Sequence, residues 1–248
     1  MIRGMFNAAS GMMVNQEKLD ITSNNLANVN TTAYKKDQGV QRSFREVLIS
    51  RIEGGEATPI GASGNGVILD GSYTDHNQGG LRQTGNTLDV AIEGQGFFVV
   101  QSPNGLRYTR DGNFTLNEQG QIVTQQGYPV MGERGPLQTI QGQAVNIGTD
   151  GQLYLGEIRG DNFRIVEFPD NNQLVKEGDN FFTTEGDIAE PAADYQIKQG
   201  YLERSNVNIV QEMVQMIQLN RHFEANQKVI TTIDNTLEKA VNSVGRLA

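Results

Sequence analysis

From Ser205 to Ala248 the side chains fall into one repeating pattern. Ile209, Met213, Met216, Leu219, Phe223, Asn226, Ile230, Ile233, Leu237, Ala240, Val244 and Leu247 follow one another at steps of three and four. That spacing keeps them on one face of a helix. From Leu219 onward the steps alternate strictly between four and three, the 3.5-residue repeat of a coiled coil. The two consecutive steps of three before Leu219 read as a stammer. Asn208, with Gln211 three residues on, is the expected N-cap. Such a helix would be roughly 55–60 Å long at 1.5 Å per residue.

The opposite end carries a weaker version. Ile2, Met5, Ala9, Met12, Gln16, Leu19, Ser23 and Leu26 alternate in the same way, over a helix expected from about Met5 to Val29. Gln16 and Ser23 are polar and Ala9 is small, so this helix buries little alone. Its narrow stripe favours packing against another helix, with the C-terminal helix as partner. The alternative is an amphipathic helix lying on the core of its own domain. Four asparagines, Asn24, Asn25, Asn28 and Asn30, crowd its last turns, although Asn competes with the backbone for hydrogen bonds.

Between the helical ends the period changes to that of strands. Gly96–Gln101 is a β-rich run, Asn104-Gly105 a hairpin signal and Leu106–Thr109 the return. Asp111-Gly112 precedes Phe114–Leu116, and Gln119-Gly120 precedes Ile122–Thr124. "GQLYLG", "NFRIVEF" and "YQIKQGYLE" continue the series. Short strands at this spacing indicate an all-β unit. "IEGGEATPIGASGNG" reads as a flexible Gly-rich connector. The chain therefore divides into an N-terminal coiled-coil helix (1–35), a connector (36–69), a β-rich central domain (70–200) and a C-terminal coiled-coil helix (201–248). The fold class is α+β and elongated: a mainly β centre whose two terminal α-helices pair as a coiled coil.

Composition narrows the function. With 248 residues and 37% hydrophobic content the chain can bury a real core. The 29 glycines suit many turns. No cysteine is present, which excludes disulfides, thiolate metal sites and Cys nucleophiles. Charge is uneven: 1–52 carries +3, 201–248 is neutral, and 53–200 carries −12. An acidic centre argues against nucleic-acid binding, which needs a basic face. No apolar run approaches the roughly 18 residues of a membrane span. The first residues lack an apolar signal core. The chain is thus expected to be cytoplasmic or to be exported without a cleaved signal peptide.

Candidate chemistry is sparse. His222 falls on the long helix, where it reads as a surface or seam residue. His76 stands beside Asp75 with no nucleophile near it in sequence; triads assemble across a fold, so spacing alone does not settle its role. "GNGVILDG" and "GQGFFVV" do not lead from a strand into a helix, as a dinucleotide loop would. Asp150-Gly151 and its like lack the spacing of a calcium loop. No catalytic, metal-ligating or cofactor-binding residue is assigned, and no enzymatic activity is expected.

Three stretches do carry a resemblance: "ITSNNLANVNTTAYK" (Ile21–Lys35), "TGNTLDVAIEGQGFFVVQSPNGLRYTRDGNFTLNEQGQIVTQQGYPVMG" (Thr84–Gly132) and "GYLERSNVNIVQEMVQMIQLNRHFEANQKVI" (Gly200–Ile230). In this order they are similar to bacterial flagellar basal-body rod proteins, nearest to the distal-rod type of the rod and hook family. They cover about half the chain. The family pattern has Gly where this chain has Ala33, which leaves open how the first helix ends.

The resemblance implies a structural subunit of the flagellar basal body. Such subunits pass unfolded through the flagellar type III export apparatus without a cleaved signal. They stack helically with other rod and hook subunits into the shaft that carries torque to the hook. Their terminal helices pair into an inner tube with the β unit outside, so neutral ends can pack while the acidic centre keeps monomers soluble. The expected assembly interface comprises Ile2, Met5, Met12, Leu19, Asn24, Asn25, Leu26, Asn28 and Asn30 with Ile209, Met213, Met216, Phe223, Ile230, Ile233, Leu237 and Val244. The asparagines either bond between neighbouring subunits and fix register, or cap and solvate a helix end. Self-association is expected, with no nucleic acid and no integral membrane segment. The alternatives are a hook or hook-associated protein, which would carry larger insertions, and a cell-wall hydrolase, for which no motif is present.

Overall fold

The computed structural model describes residues 2–53, 56–140, 143–178, 180–184 and 189–245. The chain is mainly β with one helix toward each end, an α+β protein. It divides into two units. The first comprises 1–26, 37–73 and 209–248; the second comprises 27–36 and 74–208.

In the first unit, helix α1 (Ile2–Ala27) is followed by strands β1 (Asp37–Ser43), β2 (Val47–Glu53), β3 (Glu56–Ser63) and β4 (Val67–Thr74), and later by helix α2 (Ile209–Gly245). Within the segment read as a flexible connector, 56–63 is therefore strand, paired with 47–53. β1 pairs with β4, and β2 with β3 in an antiparallel hairpin with an irregularity between Ile49 and Ser50. Composition suggested a linker because glycines interrupt the alternation. The strands are instead held by neighbours, with Arg42 and Asp70 in a 2.8 Å ion pair across β1 and β4. Along α1, Lys18 donates to Gln41 at 2.9 Å and Ser10 accepts from the Val67 amide at 3.3 Å.

The two helices touch along one line. A Cβ added to Gly4 would lie 3.4 Å from Cδ1 of Ile233, and one on Gly11 would lie 2.9 Å from Nδ2 of Asn226. Farther along, Asn25 Nδ2 reaches Glu212 Oε2 at 3.4 Å. Seven residues forward on α1 correspond to seven residues back on α2, so the helices run antiparallel where they touch. Glycine at 4 and 11 leaves room for the larger side chains of α2.

The faces differ from expectation in an orderly way. On α2 the covered positions are Glu212, Met216, Leu219, Phe223, Asn226, Ile230, Ile233 and Leu237, an unbroken alternation of four and three. The stammer disappears because Glu212, not Met213, occupies the seam; Ile209 and Met213 face outward. On α1 the fully buried residues are Ala8, Val14, Thr22 and Asn25, and contact with α2 runs through Gly4, Gly11 and Asn25. That line lies one residue before the expected seam. Gln16 and Ser23 are exposed, as is Ile2, while Met5, Met12, Leu19 and Leu26 flank the contact half-buried.

The second unit is built on strand Phe97–Ser102, which pairs with Gly105–Thr109 through the expected tight turn. The strand is central in a six-stranded sheet ordered Val175–Glu177, Phe181–Thr183, Gly105–Thr109, Phe97–Ser102, Ile165–Glu167 and Glu190–Pro191. Successive side chains point to opposite faces. Phe98 and Val100 join a core with Phe114, Ile122, Leu137, Leu153, Phe163 and Ile197. Phe97 and Val99 join a second one with Tyr108, Val166, Phe168, Leu174 and Phe182. Both faces are covered, which explains the uninterrupted apolar run FFVV. Strands at Phe114–Leu116 and Ile122–Thr124 and in "GQLYLG", "NFRIVEF" and "YQIKQGYLE" form as expected, and the first two pair antiparallel.

At Gly112 the backbone passes so close to Val90 that an added Cβ would sit 1.6 Å from the Val90 carbonyl oxygen. The Val90 amide also donates to the Gly112 carbonyl at 3.0 Å. Gly112→Ala is expected to destabilise the second unit by about 3 kcal/mol or more, since backbone must shift to relieve the overlap. Thermal unfolding of the purified variant against the native chain measures this.

Candidate assembly surface and the buried ionic cluster

The asparagine-rich end of α1 resolves into separate roles. Asn25 is buried; its Oδ1 accepts from the Asp37 amide at 2.9 Å and its Nδ2 donates to the Asp37 carbonyl at 2.8 Å. The side-chain amide thus serves Asp37 as a second backbone would, docking the start of β1, and it also reaches Glu212. Asn28 accepts from Thr31 Oγ1 at 3.1 Å, and its carbonyl takes the Thr31 amide, so it closes the turn that ends the helix. Asn24 and Asn30 are exposed.

Ala33 then adopts φ +55°, the one positive-φ residue other than glycine among the described residues. The sharp turn is therefore present despite the alanine. It sends Tyr34 and Lys35 into the second unit, where each is 1% exposed.

Lys35 enters a cluster that spacing did not disclose. Its Nζ is 2.6 Å from Glu203 Oε1 and donates to the Asn77 carbonyl at 2.9 Å. Arg110 Nη1 lies 3.7 Å from Glu203 Oε2, Nη2 donates to the Gly94 carbonyl, and the guanidinium sits 5.3 Å from the Phe97 ring centroid. Glu203 Oε1 also accepts the Gly79 amide at 2.8 Å. Burial lowers the pKa of both Lys35 and Arg110, and the Glu203 carboxylate opposes that fall. Around the cluster the backbone is tied as well: Ala33 donates to the Glu203 carbonyl, and Asn206 accepts from the Lys36 amide while donating to the Asp75 carbonyl. The residues sit in "AYKK", "YTRDGNF" and "YLERS", and only their presence inside the resembling stretches could have drawn attention to them.

The two histidines lie one in each unit. His76 packs against Phe97 and Phe182, with ring centroids 5.9 and 5.1 Å away. His222 is exposed on α2. Among the described residues no helix is long and apolar enough to cross a membrane.

Of the expected interface, Met216, Phe223, Ile230, Ile233 and Leu237 lie on the α2 line that faces α1, half-buried. Ile2, Ile209 and Met213 are exposed. Leu26 and Asn28 are half-buried, and the side chain of Val244 lies outside the described residues.

Charged groups here fasten distant segments, and large apolar side chains stand exposed on both helices. That is the equipment of a subunit that associates. The chain belongs to the flagellar basal-body rod protein family, and it is a structural rod subunit of the flagellar basal body. Residues 5–35 match the family described as flagella basal body rod protein, 91–155 the flagellar hook protein FlgE/F/G D1 domain, and 198–243 the flagellar basal body rod FlgEFG protein C-terminal family. The chain is 35% identical to flagellar basal-body rod protein FlgG of Bacillus subtilis, over 98% of this chain and 99% of that one. It is 36% identical to flagellar basal-body rod protein FlgF of Caulobacter vibrioides, over 100% and 98%. A B. subtilis flagellar hook-basal body complex protein, FlhO, is 32% identical over the whole of both chains. Each matched segment supplies one member of the ionic cluster: Lys35, Arg110 and Glu203.

Two outcomes test this geometry. Asn25→Ala leaves the Asp37 amide and carbonyl without their partner, at about 1–3 kcal/mol; hydrogen exchange in the monomer should show faster amides over residues 37–43 and unchanged ones over 97–109. Asp111 is buried, accepting from Thr32 Oγ1 at 2.8 Å and the Asn113 amide at 3.2 Å, and burial raises its pKa above 3.8. A folded pKa above the unfolded one favours folding below about pH 4, and that contribution is lost as pH rises through the folded value. Asp111→Asn should therefore gain stability relative to the native chain as pH rises from 4 to 7, read as the difference in melting temperature; a constant difference would contradict it.

Proposed function

We propose that this subunit polymerises helically through its terminal helices, which pair as a coiled coil, into the shaft that transmits torque to the hook. The observation that carries the reading is the unbroken heptad line on α2, from Glu212 to Leu237, set against the glycines of α1. Its partners are further copies and other rod and hook subunits. It reaches the basal body through the flagellar type III export apparatus, unfolded and without a cleaved signal, and performs no catalysis. The assembly interface draws on the exposed and half-buried helix positions: Ile2, Met5, Met12, Leu19 and Leu26 on α1, and Ile209, Met213, Met216, Phe223, Ile230, Ile233 and Leu237 on α2, with Val244. Asn24 and Asn30, exposed at the end of the helix, bond to neighbouring subunits. Asn25 and Asn28 support that surface from within their own chain.

Ile233→Asp tests the reading. Ile233 lies over Gly4, so the change removes apolar burial of about 1.5 kcal/mol, the low end for a side chain only half covered. It also places a carboxylate on a half-buried line, at a desolvation cost. Every copy in a helical assembly repeats the defect. The expected outcome is an exported protein whose second unit stays folded and protease-resistant, with no rod and no motility. Glu238→Gln, at an exposed position, should leave swimming unchanged. Swimming cells carrying Ile233→Asp would overturn the role assigned to the helix line.

A further inference from the structure

The chain enters and leaves its second unit along two neighbouring segments. Residues 27–36 lead in after α1, and residues 203–208 lead out to α2. Between them the Ala33 amide donates to the Glu203 carbonyl at 2.9 Å and the Asn206 amide to the Tyr34 carbonyl at 3.3 Å. The Lys36 amide donates to Asn206 Oδ1 at 2.8 Å. Moving from Ala33 to Lys36 on one segment moves from Glu203 to Asn206 on the other, so the two run parallel.

Each segment is also held to the β fold behind it. The buried Tyr34 ring lies beneath Lys176, whose Nζ stands 3.8 Å from its centroid and donates to the Lys35 carbonyl at 3.0 Å. The Asp75 amide donates to the Lys36 carbonyl at 2.9 Å. On the exit side, Tyr201–Glu203 pairs antiparallel with Leu81–Gln83, and the Arg204 amide donates to the Gly80 carbonyl. Across the seam the Lys35 side chain bonds that of Glu203, and both are buried from water.

We propose that this parallel seam is the mechanical clamp of the second unit, resisting tension applied through its two exits. Such tension draws residues 27–36 back toward their N-terminal side and residues 203–208 forward toward their C-terminal side. Parallel segments are then sheared along their length, and every bond across the seam is strained at once. In an antiparallel pair the same pull would open the bonds one after another from one end. Slippage also has to part Lys35 from Glu203 where water does not reach, which leaves charges buried without a partner. The inference rests on the reading of the chain as a torque-transmitting subunit and adds which contacts keep the unit whole under load.

The test is forced unfolding of the full chain in optical tweezers. The chain contains no cysteine, so paired cysteines at exposed positions give unique handles. Asn30→Cys with Ile209→Cys pulls along the seam, whereas Val40→Cys with Ile209→Cys pulls both segments from their C-terminal sides and opens it from one end. At one loading rate the first pair should hold the second unit folded to a higher force than the second pair. Equal forces, or the reverse order, would overturn the clamp. Asn206→Ala removes seam bonds and leaves the ionic cluster in place. At a fixed force along the seam it should unfold about tenfold faster than the native chain, with little change when the seam is opened from one end. Equal acceleration in both directions would reduce Asn206 to general stability and overturn its part in the clamp. Gly112→Ala, which loosens the unit elsewhere, should give that equal acceleration. These forces are read on isolated chains, so their failure would leave the rod reading, tested by the motility of Ile233→Asp cells, standing.

Discussion

Two cations buried beside one carboxylate set the terms for the second unit. Lys35 and Arg110 are costly to bury, and what makes it tolerable is Glu203, with the Asn77 and Gly94 carbonyls completing the bonding. The three side chains come from separate segments, so all three must be present before the interior is acceptable. Beside the cluster the Ala33 amide donates to the Glu203 carbonyl, and the Lys36 amide donates to the Asn206 side chain. The stretch just after α1 and the stretch just before α2 are thereby held to one β domain by the same group of atoms.

The helices were legible in sequence and their faces only partly so. The heptad line of α2 from Met216 to Leu237 appears in the apolar pattern because burial there is apolar. Its beginning does not, because Glu212, a charged residue, is buried beside Asn25 while Met213 is exposed. On α1 the true line runs through glycine, alanine and threonine. The large apolar residues Met5, Met12 and Leu26 each follow that line by one position. The strands at 37–74 were hidden by their glycines and by side chains that remain exposed, as Leu48 and Ile52 do. Nothing in residue spacing marks a lysine or arginine as buried, so the ionic cluster emerged only in three dimensions.

The asparagines at the end of α1 show the same division. Asn is a weak helix former because its amide competes with the backbone. At Asn25 that competition is put to use: the amide substitutes for a strand neighbour of Asp37. At Asn28 it helps close the turn before Ala33. A residue type that looked out of place in a helix is suited to the point where helix gives way to strand.

The ammonium of Lys35 and the carboxylate of Glu203 are 168 positions apart in the chain. Contacts of such long sequence separation form slowly, because loop closure must precede them. A chain emerging N-terminal end first from a ribosome presents most of its β segments before Glu203 appears, while the strands Tyr195–Gln199 and Tyr201–Glu203 arrive with it. Until then Lys35 and Arg110 lack their counter-charge, and the domain has no complete native state to enter. The topology therefore ties completion of the second unit to the arrival of the strand that carries Glu203.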